Sequence, residues 1–154
     1  TNRFKADRDR VQEYMTDPEI REQEAVEIAH AIEAKCSVEE PRDGLKKLTV
    51  HQKEYGRDMK GKRDKSVIED VTLTINWDTQ KYRCDWTWSM ASQKDRVFVK
   101  GSTTLLEDGG ATKVREEGHV EVKVPMIGKM IEGKVVAGIE KARPKWAAWF
   151  EKKL

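Results

Sequence analysis

Tyr82, Trp86 and Trp88 fall in step along one stretch of the chain, and Trp77 stands shortly before them. Large flat side chains bring broad contact area, and each indole or phenol carries one polar handle that needs a partner when buried. Along a cavity wall they would cradle an apolar molecule and orient it through those isolated donors. In a solid interior they would only fill the core, and enough of them together would close a cavity altogether. Spacing admits both arrangements. Other chemistry is less well supported. The three histidines, His30, His51 and His119, have no partner histidine at i+3 or i+4. A zinc centre needs three or four convergent ligands, so no metal is expected. Glu69-Asp70 and Glu116-Glu117 are adjacent pairs, which on a strand point to opposite faces. Glu116 shares the phase of Val114, Val120 and Val122, and so should face inward. There it would be a general base with a raised pKa, the partner of a Lys or Arg, or an exposed group at a bulge near Gly118. The chain shows no Ser-His-Asp set, phosphate loop, dinucleotide turn or Cys-x-x-Cys pair. No catalytic residue and no cofactor is therefore expected.

A second aromatic group, Trp146, Trp149 and Phe150, stands among Lys141, Arg143, Lys145, Lys152 and Lys153. Aromatic-plus-basic helices lie on anionic membrane surfaces; the same rings could equally pack over the end of a sheet, leaving the bases in water. The 154 residues carry a net charge of only +2, with no global basic excess of the kind nucleic-acid binders show. No nucleic-acid partner is expected. Charge is unevenly spread: Asp7 to Glu33 holds nine acids and three arginines, while Arg42 to Lys65 holds nine bases and four acids. No run approaches the roughly 18 apolar residues of a membrane span, and no signal peptide is visible. Cys36 and Cys84 occupy apolar positions of alternating segments, as buried free thiols do in a reducing cytoplasm. A cytoplasmic setting is expected, with contact at a membrane surface as a secondary location. The chain starts at Thr1, which leaves open an upstream or targeting segment. The sequence sets no oligomeric state.

The elements that must position these groups are readable. Arg3 to Ala6 suggests the end of a short strand. Asp7 is a candidate N-cap for a helix carrying Val11, Tyr14 and Met15; Asp17-Pro18 starts a second one, running to about Glu24. The period then changes to two. Ile32, Ala34, Cys36 and Val38 alternate with polar residues, Pro41-Arg42-Asp43-Gly44 turns the chain, and Leu48, Val50 and Gln52 mark the returning strand. Gly56 to Lys65 reads as a basic loop. Three clear strands follow. The first aligns Val71, Leu73, Ile75 and Trp77, the second Tyr82, Cys84, Trp86, Trp88 and Met90, and the third Val97, Val99, Gly101 and Thr103. Asp108-Gly109-Gly110 is a hairpin turn leading to a last strand with Val120, Val122 and Val124. Pro125 ends the sheet. A long helix then begins near Met126, with Ile127, Ile131, Val135, Ile139, Trp146 and Phe150 among its apolar residues. Pro144 would either kink it or start a second helix. Consecutive hairpin-linked strands make an antiparallel sheet. Its apolar face needs a cover, and the last helix is the only long amphipathic one. One domain over residues 1–154 follows, of α+β class: about seven strands, two short helices after the first, and the long helix across the concave face.

This order resembles the helix-grip fold of the START, Bet v 1 and polyketide cyclase-like superfamily, also called SRPBCC. The resemblance spans essentially the whole chain. It is most specific at Val11 to Asp17-Pro18-Glu19 and at Gly118-His119-Val120-Glu121-Val122-Lys123-Val124-Pro125-Met126-Ile127-Gly128-Lys129, which looks like a bacterial subfamily. It implies a cavity between sheet and helix and a hydrophobic ligand such as a lipid, isoprenoid or polyketide. It implies carriers and sensors more than enzymes, and no shared catalytic set. The expected lining is Val71, Leu73, Ile75, Trp77, Tyr82, Cys84, Trp86, Trp88, Val97, Val99, Val120, Val122, Ile127, Ile131, Val135 and Ile139. A cyclase or hydratase using the same pocket, and an interaction module with the pocket closed, are the alternatives.

Overall fold

A computed structural model describes residues 1–57 and 62–154 of the protein. The chain runs β1 (Asn2–Phe4), α1 (Arg8–Met15), α2 (Pro18–Glu27), β2 (Glu33–Arg42), β3 (Leu45–Arg57), β4 (Arg63–Asp78), β5 (Arg83–Met90), β6 (Val97–Asp108), β7 (Ala111–Val122) and α3 (Gly128–Lys153). The strands form one curved antiparallel sheet in the order β1-β7-β6-β5-β4-β3-β2. Both short helices start where their caps direct. The Asp7 carboxylate accepts from the Arg10 amide at 2.9 Å, and that of Asp17 from Ile20 at 3.1 Å, with Pro18 at the first helical position. The second helix runs on to Glu27, past the expected end near Glu24.

Two local expectations are corrected. The segment from Gly56 to Lys65 is largely not a loop: Gly56 pairs with Asp64 and Arg57 with Arg63, so β3 and β4 continue as a two-stranded arm. Residues 58–61, the middle of the expected loop, lie outside the described residues. Arg57, Arg63, Asp64 and Lys65 leave this stretch without apolar alternation, and that removed the strand signal. Gly56 marks a register shift, and a Cβ there would come within 2.8 Å of Val67. Tyr82 does not belong to β5. It lies in the turn before it, at φ 53°.

Register explains the two mid-strand glycines facing the helix. Ile75, Trp86, Gly101 and Gly118 form one row across four strands. The Trp86 ring lies over Gly101, where a Cβ would come within 2.4 Å of it, and a Cβ at Gly118 would meet the same ring at 3.5 Å. Bulk on one strand is thus matched by its absence on the next two.

α3 is a single helix with Pro144 inside it. It is pinned at both ends. At its start, Gly128 is buried against Val122, whose amide donates to the Glu132 carboxylate at 2.9 Å. Near its end, Trp146 stacks on Phe150 at 5.2 Å between ring centres, and both meet the Phe4 ring edge-on. The Arg10 guanidinium donates to the Leu154 carbonyl at 2.6 Å. Between these anchors no helix residue is buried. Val136 remains 40% and Ile139 43% exposed. The helix bridges the sheet more than it rests on it.

A candidate ligand cavity beneath the bridging helix

The space under the helix holds a half-open cavity of about 470 Å³. Its sheet wall is Trp88 and Met90 from β5, Val97 from β6 and Val122 from β7; Val124 follows the last strand, and α3 contributes Ile131 and Val135. These side chains converge because Trp88 pairs with Val99 and Val97 pairs with Val122 on the same sheet face. The opposite end is polar. Glu54 and Glu69 stand directly across from one another on β3 and β4, and Arg57, Arg63, Tyr55 and His30 complete that rim.

The rim's acids are held by neutral donors. Gln52 donates to Glu54 at 2.9 Å, and the Ser92 hydroxyl donates to Glu69 at 2.6 Å. Burial raises the Glu54 pKa, partly offset by the Gln52 hydrogen bond and by the charge of Arg57. His30 ends the α2 connection at φ 59°, a left-handed position where glycine is the least strained residue. Its pKa is lowered, first by burial and then by the cations Lys145, Arg63 and Arg57.

A second hollow of about 380 Å³ opens further along the helix, between Trp86, Val99 and Val120 on the sheet and Val136 and Ile139 on α3. Glu116 closes it. As its phase requires, it faces the helix; there it forms an ion pair with Arg143 at 2.7 Å, and the guanidinium also covers the Trp146 ring. A smaller hollow of about 140 Å³ lies under α2, against Val50, Leu73 and Trp88.

Of the residues expected to line one pocket, Trp88, Val97, Val122, Ile131 and Val135 meet in the main cavity. Trp86, Val99, Val120 and Ile139 line the second hollow, and Leu73 the third. Val71, Ile75, Trp77 and Cys84 are buried. Ile75, Trp77 and Cys84 fill the core, where the Trp77 indole donates to Gln12 at 2.6 Å. Ile127 precedes the helix and is 45% exposed, outside the cavities described. Tyr82 turns the other way: its hydroxyl donates to Asp9 at 2.5 Å under the Arg8 guanidinium.

Trp146, expected to offer its ring to a membrane or to pack over the sheet, is packed and only 5% exposed. The Trp149 indole donates to Glu27. His51 faces the outer side and meets Thr72 at 3.3 Å; His119 is also exposed. Cys36 and Cys84 are free, and burial pushes each thiol up to about 11. Among the described residues, no group of three or more metal-ligating side chains converges. No helix there is long and apolar enough to cross a membrane.

The polar rim is what sequence reasoning missed. Three of its residues lie at element ends, His30 after α2 and Arg57 and Arg63 on the arm, where periodicity says nothing. The inward phase of Glu54 with Val50 and Gln52 was the available signal.

The fold also occurs in a solved structure. The crystal structure of TTHA0849 from Thermus thermophilus matches with a TM-score of 0.64 at 12% identity, covering 98% of this chain and 91% of that one. No curated protein matches the chain. The family model described as protein of unknown function (DUF2505) matches residues 1–152, and the chain belongs to that family.

Proposed function

We propose that the protein binds a hydrophobic small molecule, such as a lipid, isoprenoid or polyketide-like compound, between its sheet and α3, and acts as a carrier or sensor. The reading includes membership of the START/Bet v 1-like (SRPBCC) superfamily and a cytoplasmic setting. The observation that carries it is the half-open cavity of about 470 Å³ with its apolar wall from Trp88, Val97, Val122, Ile131 and Val135. That volume falls within the range of about 300–1,000 Å³ typical of small-molecule sites. An apolar molecule placed there would remove these side chains from water and gain roughly 25 cal/mol per Å² of apolar surface buried.

A cyclase- or hydratase-type activity would draw on Glu54 and Glu69. Both lie at the rim, only half-buried, and each already accepts a hydrogen bond from a neutral side chain. The geometry therefore favours binding over catalysis. A closed interaction module is disfavoured by the open space itself.

Native mass spectrometry of the purified protein, followed by organic extraction, tests the proposal. A co-purifying apolar compound of defined mass is the expected result. Ligand-free protein whose thermal midpoint stays fixed across a lipid and polyketide panel would count against it.

A further inference from the structure

The arm, the β5–β6 turn and the β7–α3 link gather at one end of the sheet, around the mouth of the main cavity. Val71 of β4 pairs with Met90, the last residue of β5, so the arm projects beyond β5 there. Val97, the first residue of β6, pairs with Val122, the last of β7, which brings the turn and the link to the same end. Arg63 from the arm, Gln93 from the turn and Val124 from the link all line the cavity. Apolar side chains stand in water here. Met126 is fully exposed at a left-handed φ of 71°, Met130 and Ile68 are more than half exposed, and Ile127 and Val67 are exposed as well. The same segments are basic. Residues 62–68 hold three bases and one acid, 91–96 two bases and one acid, and 122–131 two bases and no acid. With the rim's Arg57, Glu54 and Glu69 counted in, the excess is four positive charges. Among the described residues, Lys65, Lys123 and Lys129 form no ion pair.

We propose that this end docks on an anionic lipid surface, with Met126, Ile127 and Met130 entering the headgroup boundary and Lys65, Lys123 and Lys129 meeting the headgroups. Docking depends on exposed side chains alone and stands whether or not the cavity takes a guest. Clustered apolar side chains on a surface mark a contact site. Apolar tips by themselves fit any apolar partner, and lysines by themselves any acidic one. Flexible methionines have no rigid shape to match, and with lysines beside them they suit a fluid interface that supplies both acyl carbon and negative charge. Docked this way, the cavity mouth opens onto the bilayer, so an apolar molecule passes between the two without crossing water.

Co-sedimentation of the full chain with phosphatidylcholine vesicles, with and without phosphatidylglycerol, tests this. At low salt the mixed vesicles should bind at least about tenfold more tightly than phosphatidylcholine alone, and added salt should erase the difference. Met126→Asn with Met130→Gln should weaken binding to mixed vesicles by about tenfold or more at an unchanged thermal midpoint, since asparagine tolerates the left-handed region. Lys123→Gln with Lys129→Gln should bring the two vesicle types to within about threefold of each other. Leu106→Gln, which replaces an exposed apolar residue near the opposite end of β6, should change nothing. No binding to mixed vesicles, equal binding to both types, or a methionine variant that binds like wild type overturns the proposal. So does self-association of the wild type that the methionine variant loses, which assigns the patch to a second copy of the chain. A co-purifying apolar compound alongside any of these results leaves the cavity reading intact.

Discussion

At the scale of single residues, fit is decided by atoms a few ångströms apart. Gly101 has the Glu117 carbonyl and the Trp86 ring where a Cβ would stand, at 2.2 and 2.4 Å. A carbonyl in the sheet ladder cannot step aside as a flexible side chain can. Gly101→Ala should therefore cost toward 3 kcal/mol, the upper part of the range for overpacking. Urea unfolding would show this as a lower midpoint with an unchanged slope; a stability equal to wild type would mean that Trp86 does not lie across β6. The two thiols give a second residue-level test. Burial raises both from 9.0 to about 11. A group whose folded pKa is raised favours its protonated form in the fold. Its contribution is thus complete below pH 9 and is lost as pH climbs toward 11. At pH 8, Ellman's reagent should leave both cysteines of the native protein unmodified for hours and label both in denaturant. Rapid native labelling would contradict their burial.

At the scale of elements, α3 is the piece whose behaviour decides whether a cavity exists. Gly133 and Gly138 lie in its middle, in helical conformation, and a Cβ at either would meet nothing within 4 Å. Glycine in a helix interior costs about 0.5–1 kcal/mol relative to alanine. Each Gly→Ala change should stabilise by about that amount in urea titrations, and destabilisation would show that the helix lies closer to the sheet than described. This bridging was not legible in the sequence. The stripe through Ile131, Val135 and Trp146 predicts that the helix faces the sheet, and it does at its ends. Apolar periodicity reports which side of a helix turns inward, not how far away the surface opposite lies. The sheet was more legible, because alternation sets the face of each strand and Gly109-Gly110 sets a hairpin. Tyr82 shows where that logic stops. It keeps the phase of Cys84 and Trp86, yet its left-handed backbone lifts it out of the strand onto α1.

At the scale of the whole molecule, the question is whether the space under α3 is built for a guest or is merely imperfect packing. The two differ in what filling it does. Interiors pack as densely as organic crystals, so an apolar void without an occupant forfeits contact energy. A side chain that fills it returns that energy. Val135 points into the cavity from the helix and is half-buried, with Ile131 one turn before it. Val135→Phe adds carbon where there is room, which should stabilise the ligand-free protein by about 1 kcal/mol. For a domain of this size that is a rise of roughly 2–5 °C in thermal midpoint. The same ring would take up part of the space that a guest needs, so uptake of any apolar ligand should fall by about tenfold or more. Stability rising while binding falls is the signature of a cavity kept open for use, at a cost to the empty fold. Calorimetry on delipidated protein, paired with ligand titration of the same preparation, reads both quantities. If Val135→Phe lowers the midpoint and leaves uptake intact, the ring has no space to enter and the guest binds elsewhere.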